Sequence, residues 1–172
     1  MGALIVLVGL PGSGKSTYAK KLNGVIVSTD EIRKELYGGE SITYSEEIAQ
    51  QLWLERGDPH CAEEEMAIKK QNLCIDYIFE VARQRCCDLL RQGETVIYDS
   101  TNHKKKYRTA LLTQAKGLYT RVEAHFLNVP LETVLKQNRR RSRQEPDDLI
   151  LEISEYLVPP TLEEGFDVIL EL

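Results

Sequence analysis

The chain has 172 residues, 42% apolar and 28% charged, with a net charge of −5. Those values exclude a disordered chain, and the length suits one domain, 1–172, with its own core. No apolar run approaches the roughly 18 residues of a membrane span. The start Met1-Gly2-Ala3-Leu4 lacks the basic flank and cleavage site of a signal peptide, so a cytoplasmic protein is expected.

The first predicted element is a strand over 3–8, a continuous apolar run suited to burial on both faces. It runs straight into Gly9-Leu-Pro-Gly-Ser-Gly-Lys15-Ser16-Thr17, which matches the phosphate-binding loop pattern in full. Glycines let backbone N–H groups turn inward around phosphates, with a helix N-terminus behind them. On this reading Gly12, Ser13, Gly14, Lys15, Ser16 and Thr17 bind the phosphates of a ligand, which the resemblance given below makes ATP. Lys15 reaches the terminal phosphates and the Ser16 hydroxyl ligates magnesium. A helix over 15–22 follows, with Ala19 and Leu22 apolar. A glycine turn of purely structural purpose has no need of Lys-Ser after it.

A second strand is predicted at 25–28 and a helix at 30–37. Asp30 follows the strand directly, and Arg33 lies one helical turn on, facing the same way. Two readings stand side by side for Asp30: a carboxylate that accepts the proton of an attacking hydroxyl, or a plain helix N-cap. Residues 37–47 read as a mobile loop leading into a helix over 45–56 capped by Ser45. Arg-Gly-Asp-Pro-His at 56–60 breaks that helix, and a further helical stretch over 60–92 is expected to be interrupted. Residues 40–65 are acidic. Cys61, Cys74, Cys86 and Cys87 show no CxxC spacing and His60-Cys61 has no partner cluster, so buried thiols are expected rather than a metal site.

The third strand, 95–98, leads into Asp99-Ser-Thr-Asn102. A carboxylate at the carboxyl end of a parallel strand, beside a phosphate loop, can hold magnesium through water; it can also cap the next turn. Helices at 104–116, 131–143 and 147–157 alternate with strands at 122–127 and 167–170. Gly93 and Gly117 close two helices, and Pro130 opens another in its first turn. The alternation predicts an α/β fold with a five-stranded, mostly parallel sheet and helices on both faces. His-Lys-Lys-Lys-Tyr-Arg at 103–108 and Arg-Arg-Arg-Ser-Arg at 139–143 are strongly basic. Each reads equally as a solvated helix face or as a track for a polyanion. The helix carrying Lys136, Arg139, Arg140, Arg141 and Arg143 ends near Pro146 and can present an arginine to the γ-phosphate.

In this order the pieces resemble the 5′-hydroxyl polynucleotide kinase family, within the wider superfamily of small P-loop kinases. Asp30-Glu-Ile-Arg33 matches the family's Asp-x-x-Arg, Asp99-Ser-Thr-Asn102 its Asp-x-Thr-Asn, and Asn138 with Arg141 its lid pattern. The closing segment from Val158 to Leu172 is similar to that of the animal enzymes. The resemblance covers about 3–37 and 93–172, and nothing in 38–92 aligns. It implies the P-loop kinase fold with an arginine-bearing helical lid over about 131–146 and a helical insertion at 38–92. It also implies ATP and Mg2+ as cofactors and a 5′-hydroxyl end of DNA or RNA as acceptor. The roles it implies are Asp30 as general base, Lys15 and Arg141 stabilising the transferring phosphoryl group, and Ser16 and Asp99 on the metal. Arg33 and Asn102 would touch the substrate. The wider superfamily leaves a small-molecule acceptor open. A third reading, an ATP-binding module without transfer, has no use for Asp30 and Arg141.

Overall fold

The computed structural model describes residues 1–38, 44–141 and 144–172. Residues 39–43 of the expected loop over 37–47, and Arg143, therefore lie outside the described residues. In chain order the elements are β1 (Ala3–Val8), α1 (Lys15–Ala19), β2 (Val25–Ser28), α2 (Thr29–Tyr37), α3 (Glu46–Arg56) and α4 (Glu63–Arg91). They continue with β3 (Val96–Asp99), α5 (Lys105–Ala115), β4 (Arg121–Phe126), α6 (Leu131–Asn138), α7 (Asp147–Glu155) and β5 (Val168–Glu171).

The sheet order is β2-β3-β1-β4-β5, and every pairing is parallel. Val6 pairs with Tyr98 and Ser28 with Asp99, so the carboxyl ends of β1, β2 and β3 share one edge. In open α/β sheets that edge binds ligands.

The chain divides into two compact units, one of residues 1–28 with 83–172 and one of residues 29–82. In the first, Leu7, Ala19 and Ile97 form a core cluster flanked by Ile5, Tyr18 and Leu22, which seats α1 on β1 and β3. Leu4, Val6 and Val8 on the other face of β1 are equally buried, so the central strand is covered on both sides, as its unbroken apolar run requires. Each such aliphatic side chain contributes about 1.5–3 kcal/mol by its burial. A second cluster, Leu10 with Val134 and Ile150, holds α6 and α7 against the start of the glycine-rich loop.

The second unit is helical. Ser45 caps α3 by accepting the Ile48 N–H. The Tyr37 hydroxyl donates to the Cys74 carbonyl at 2.7 Å, tying α2 to α4, and Arg56 pairs with Glu80 at 2.7 Å between α3 and α4.

Three boundaries differ from expectation. α4 is unbroken, because no glycine or proline lies between 63 and 92. α1 stops at Ala19, and Lys21 and Leu22 tighten into bonds three residues back as the chain turns toward β2. Pro130 sits at the cap of α6 rather than in its first turn.

Cys74, Cys86 and Cys87 are buried and Cys61 is half-buried, all as free thiols. Burial pushes the Cys86 thiol up to about 12, which leaves it inert. Among the described residues no helix is long and apolar enough to cross a membrane.

Candidate active site

The site grows from the end of β1. Gly12 and Gly14 take φ angles of 89° and 92°, a left-handed backbone that glycine adopts without steric cost. At Gly12 there is also no room for a side chain. A Cβ there would lie 3.1 Å from the Val134 carbonyl oxygen and 3.3 Å from the Asn138 Cβ, so the loop rests directly on α6. Lys15 opens α1 and is buried; its Nζ donates to the carbonyls of Gly9 at 2.9 Å and Leu10 at 2.7 Å. Ser16 and Thr17 are exposed beside it. Ser13 is buried, and its hydroxyl has no hydrogen-bond partner.

The end of β3 is stitched to this loop. The Gly9 N–H donates to the Thr101 carbonyl at 3.2 Å, and Asn102 Nδ2 donates to the Leu7 carbonyl at 2.7 Å. Asn102 has a φ of 48°, and among the described residues it is the non-glycine residue with positive φ. Its amide nitrogen is thus spent on holding the sheet edge. Asp99 is buried at that edge, and α1 packs against β3. Ser16 and Asp99 are hard oxygen donors of the kind magnesium takes, alongside the waters and phosphate oxygens it keeps among its ligands.

The arginine segment departs from the expected long helix. α6 ends at Asn138, and the N–H groups of Arg140 and Arg141 bond three residues back, to Gln137 and Asn138. The cause lies in Asn138 itself, which is buried. Its Nδ2 donates to the Glu145 carbonyl at 2.7 Å and its Oδ1 accepts the Glu145 N–H at 3.0 Å. A side chain that bonds backbone ahead of it draws the chain off the helix axis. Arg141 stands in the segment so bracketed, half-buried.

Asp30 and Arg33 belong to the other unit. α2 begins at Thr29 with no residue between it and β2, so Asp30 lies within the first turn and is not the cap. Arg33 Nη2 donates to Asp30 Oδ1 at 3.4 Å, with side chains 4% and 48% exposed.

Two residues of the first basic run carry more than sequence reasoning assigned. Arg108 is fully buried and makes a bidentate pair with Glu164, Nε to Oε2 at 2.8 Å and Nη2 to Oε1 at 2.6 Å. Its Nη1 also donates to the carbonyls of Asn102 and Val158, both at 2.9 Å. Arg108 therefore fixes the Asn102 turn. Neighbouring His103 has its ring against Tyr107 at 5.4 Å between centroids and a buried Nδ1 without a partner. No local signal marks Arg108, because its counter-ion, Glu164, lies 56 residues on in the closing segment.

A family model for an AAA domain, AAA_33, matches residues 4–155. The chain belongs to that family. One relative of this AAA domain is a protein assigned as a bifunctional polynucleotide kinase/RNA ligase of Autographa californica nuclear polyhedrosis virus. It is 31% identical over 152 residues, 83% of this chain and 19% of that protein. An L-seryl-tRNA(Sec) kinase of Methanococcus maripaludis is 26% identical over 174 residues, 96% of this chain and 56% of that protein. The chain thus spans from a fifth to just over half of the length of these relatives. Among solved structures, the Pnkp1/Rnl/Hen1 RNA repair complex contains a chain with TM-score 0.66 and 21% identity, over 91% of this chain and 44% of that one. That likeness is one of fold. The AAA domain is of the P-loop kinase type, and its relatives include the polynucleotide kinases that the motifs resemble.

Proposed function

We propose that this chain is an ATP- and magnesium-dependent phosphotransferase acting on the 5′-hydroxyl end of DNA or RNA. One observation carries the reading: a complete phosphate loop, closed by Lys15, shares a sheet edge with buried Asp99 in a chain related over 83% of its length to a polynucleotide kinase. The loop N–H groups of Gly12 to Thr17 and the Lys15 ammonium hold the terminal phosphates. Ser16 and Asp99 would hold magnesium, which when bound neutralises charge on the transferring phosphoryl group. Asp30 takes the proton of the acceptor hydroxyl as its oxygen bonds to the γ-phosphorus and the β–γ bridging bond breaks, releasing ADP. Its pairing with Arg33 orients the carboxylate, and Arg33 also contacts an acceptor phosphate. Arg141 offsets the charge that develops on the γ-oxygens. Asn102 serves by holding the turn after Asp99. The whole chain, 1–172, is assigned to one kinase domain.

Labelled ATP and a 5′-hydroxyl oligonucleotide test this directly. Label should appear on the oligonucleotide and vanish with Asp30→Asn, while nucleotide binding persists. No label at any magnesium concentration ends the polynucleotide reading, and transfer by Asp30→Asn removes the assigned base. The kinship to L-seryl-tRNA(Sec) kinase over 96% of the chain favours a second reading, an acceptor hydroxyl on a smaller group. Label on such an acceptor alone would select it.

A further inference from the structure

His103 lies just past the Asp99–Asn102 segment, and no role above uses it. Its Nδ1 is buried with no hydrogen-bond partner among the described residues, and a buried polar atom left in that state is destabilising and calls for a reason. Its backbone is fixed from both sides. Asn102 before it holds a left-handed φ of 48° with its carbonyl gripped by Arg108, and the His103 carbonyl accepts the Val158 N–H at 2.8 Å. Residues held in sparsely populated backbone regions cluster at ligand sites.

Burial first, then the charges of Lys104, Arg108, Lys106 and Lys15, pushes the pKa of the ring down to about 4. Tyr107 packs against the ring, Lys104 lies over Tyr156 and Lys106 over Tyr107, and Glu164 is engaged bidentately by Arg108. A neutral imidazole with an unused buried nitrogen, in the field of these cations, is matched by an anion.

We propose that His103 is a substrate-phosphate contact of this site, hydrogen-bonding through Nδ1 with an oxygen of a phosphate group held beside Lys15. This rests on the nucleotide-binding reading above. The phosphate belongs either to the nucleotide or to the nucleic-acid acceptor, and the ring recognises both by the same chemistry. A neighbouring anion favours the protonated ring, so its binding draws a proton onto His103 at pH values just above the ligand-free pKa, and the effect fades as pH rises.

Calorimetric titration of the whole chain, in two buffers of different ionisation enthalpy at about pH 5.5 and about pH 8, tests this. Magnesium-ADP and a 5′-hydroxyl oligonucleotide are used as separate probes. Because phosphate itself titrates near the lower pH, the readout is the difference between wild type and His103→Leu. At the lower pH the variant should take up fewer protons with one probe and bind it about tenfold more weakly. The difference in proton uptake should vanish at the higher pH, where only the hydrogen-bond part of the affinity difference remains. The probe that shows it identifies whose phosphate is touched. His103→Asn keeps a hydrogen-bonding group near the Nδ1 position but cannot titrate, so it should recover affinity without the proton. It also guards against a leucine variant that fails to fold. Equal proton uptake and affinity in wild type and both variants, with every probe that binds, overturns the proposal. Failure of wild type to bind magnesium-ADP overturns the nucleotide reading instead.

Discussion

The turn around Arg108 and the segment from Arg139 to Glu145 each hold an arginine–carboxylate pair, with contacts of 2.6 Å for Arg108–Glu164 and 2.7 Å for Arg139–Asp147. Distance does not separate them; solvent does. The first pair is 0% and 1% exposed, the second 64% and 39%. In the first, the guanidinium is fully engaged by a carboxylate and three backbone carbonyls, so loss of either charged partner strands a charge in the interior. In the second, water screens the attraction and competes for both groups. There a neutral amide, Asn138, ties Glu145 to the end of α6, and Arg141 stays half-buried. Of the two basic stretches, the first holds a buried anchor and the second an exposed pair.

Substitutions can break that division. Arg108→Met should cost about 3–5 kcal/mol in urea unfolding, and pairing it with Glu164→Leu should restore much of the loss. A single-variant cost below about 1 kcal/mol would show that the pair anchors nothing. Arg141→Ala should do the reverse, slowing phosphoryl transfer by about a hundredfold to a thousandfold with an unchanged melting temperature. Asn138→Ala should lie between, losing about 1–3 kcal/mol by freeing both backbone groups of Glu145 and raising KM for nucleotide. Asn138→Asp keeps the acceptor for the Glu145 N–H and should lose less. Arg139→Ala should change stability by less than about 0.5 kcal/mol, and a larger effect would mean its exposed pair is stronger than its exposure allows.

What the sequence made legible were features whose cause is local. The apolar run of β1, the glycines at 12 and 14 and the position of Asp99 at a strand end follow from neighbours within a few residues. The sheet followed from alternation, and proved entirely parallel among the described strands. Illegible features depend on distant partners. Arg108 reads as one more surface cation until Glu164, 56 residues on, closes over it. The end of α6 is hidden for a related reason, since the Asn138 side chain there bonds both backbone groups of Glu145, seven residues on. For Asp30 the local signal allowed two readings; α2 starting at Thr29 removes the cap and leaves the general base as a proposal.

The bonds of the Lys15 ammonium to two carbonyls of its own loop have a chemical corollary. An amine held in this way and turned from solvent is a poor nucleophile toward acylating reagents, so in a labelling time course Lys15 should lag the exposed surface amines. Occupancy of the loop would then be readable without any assay of turnover, from the rate at which one peptide gains mass.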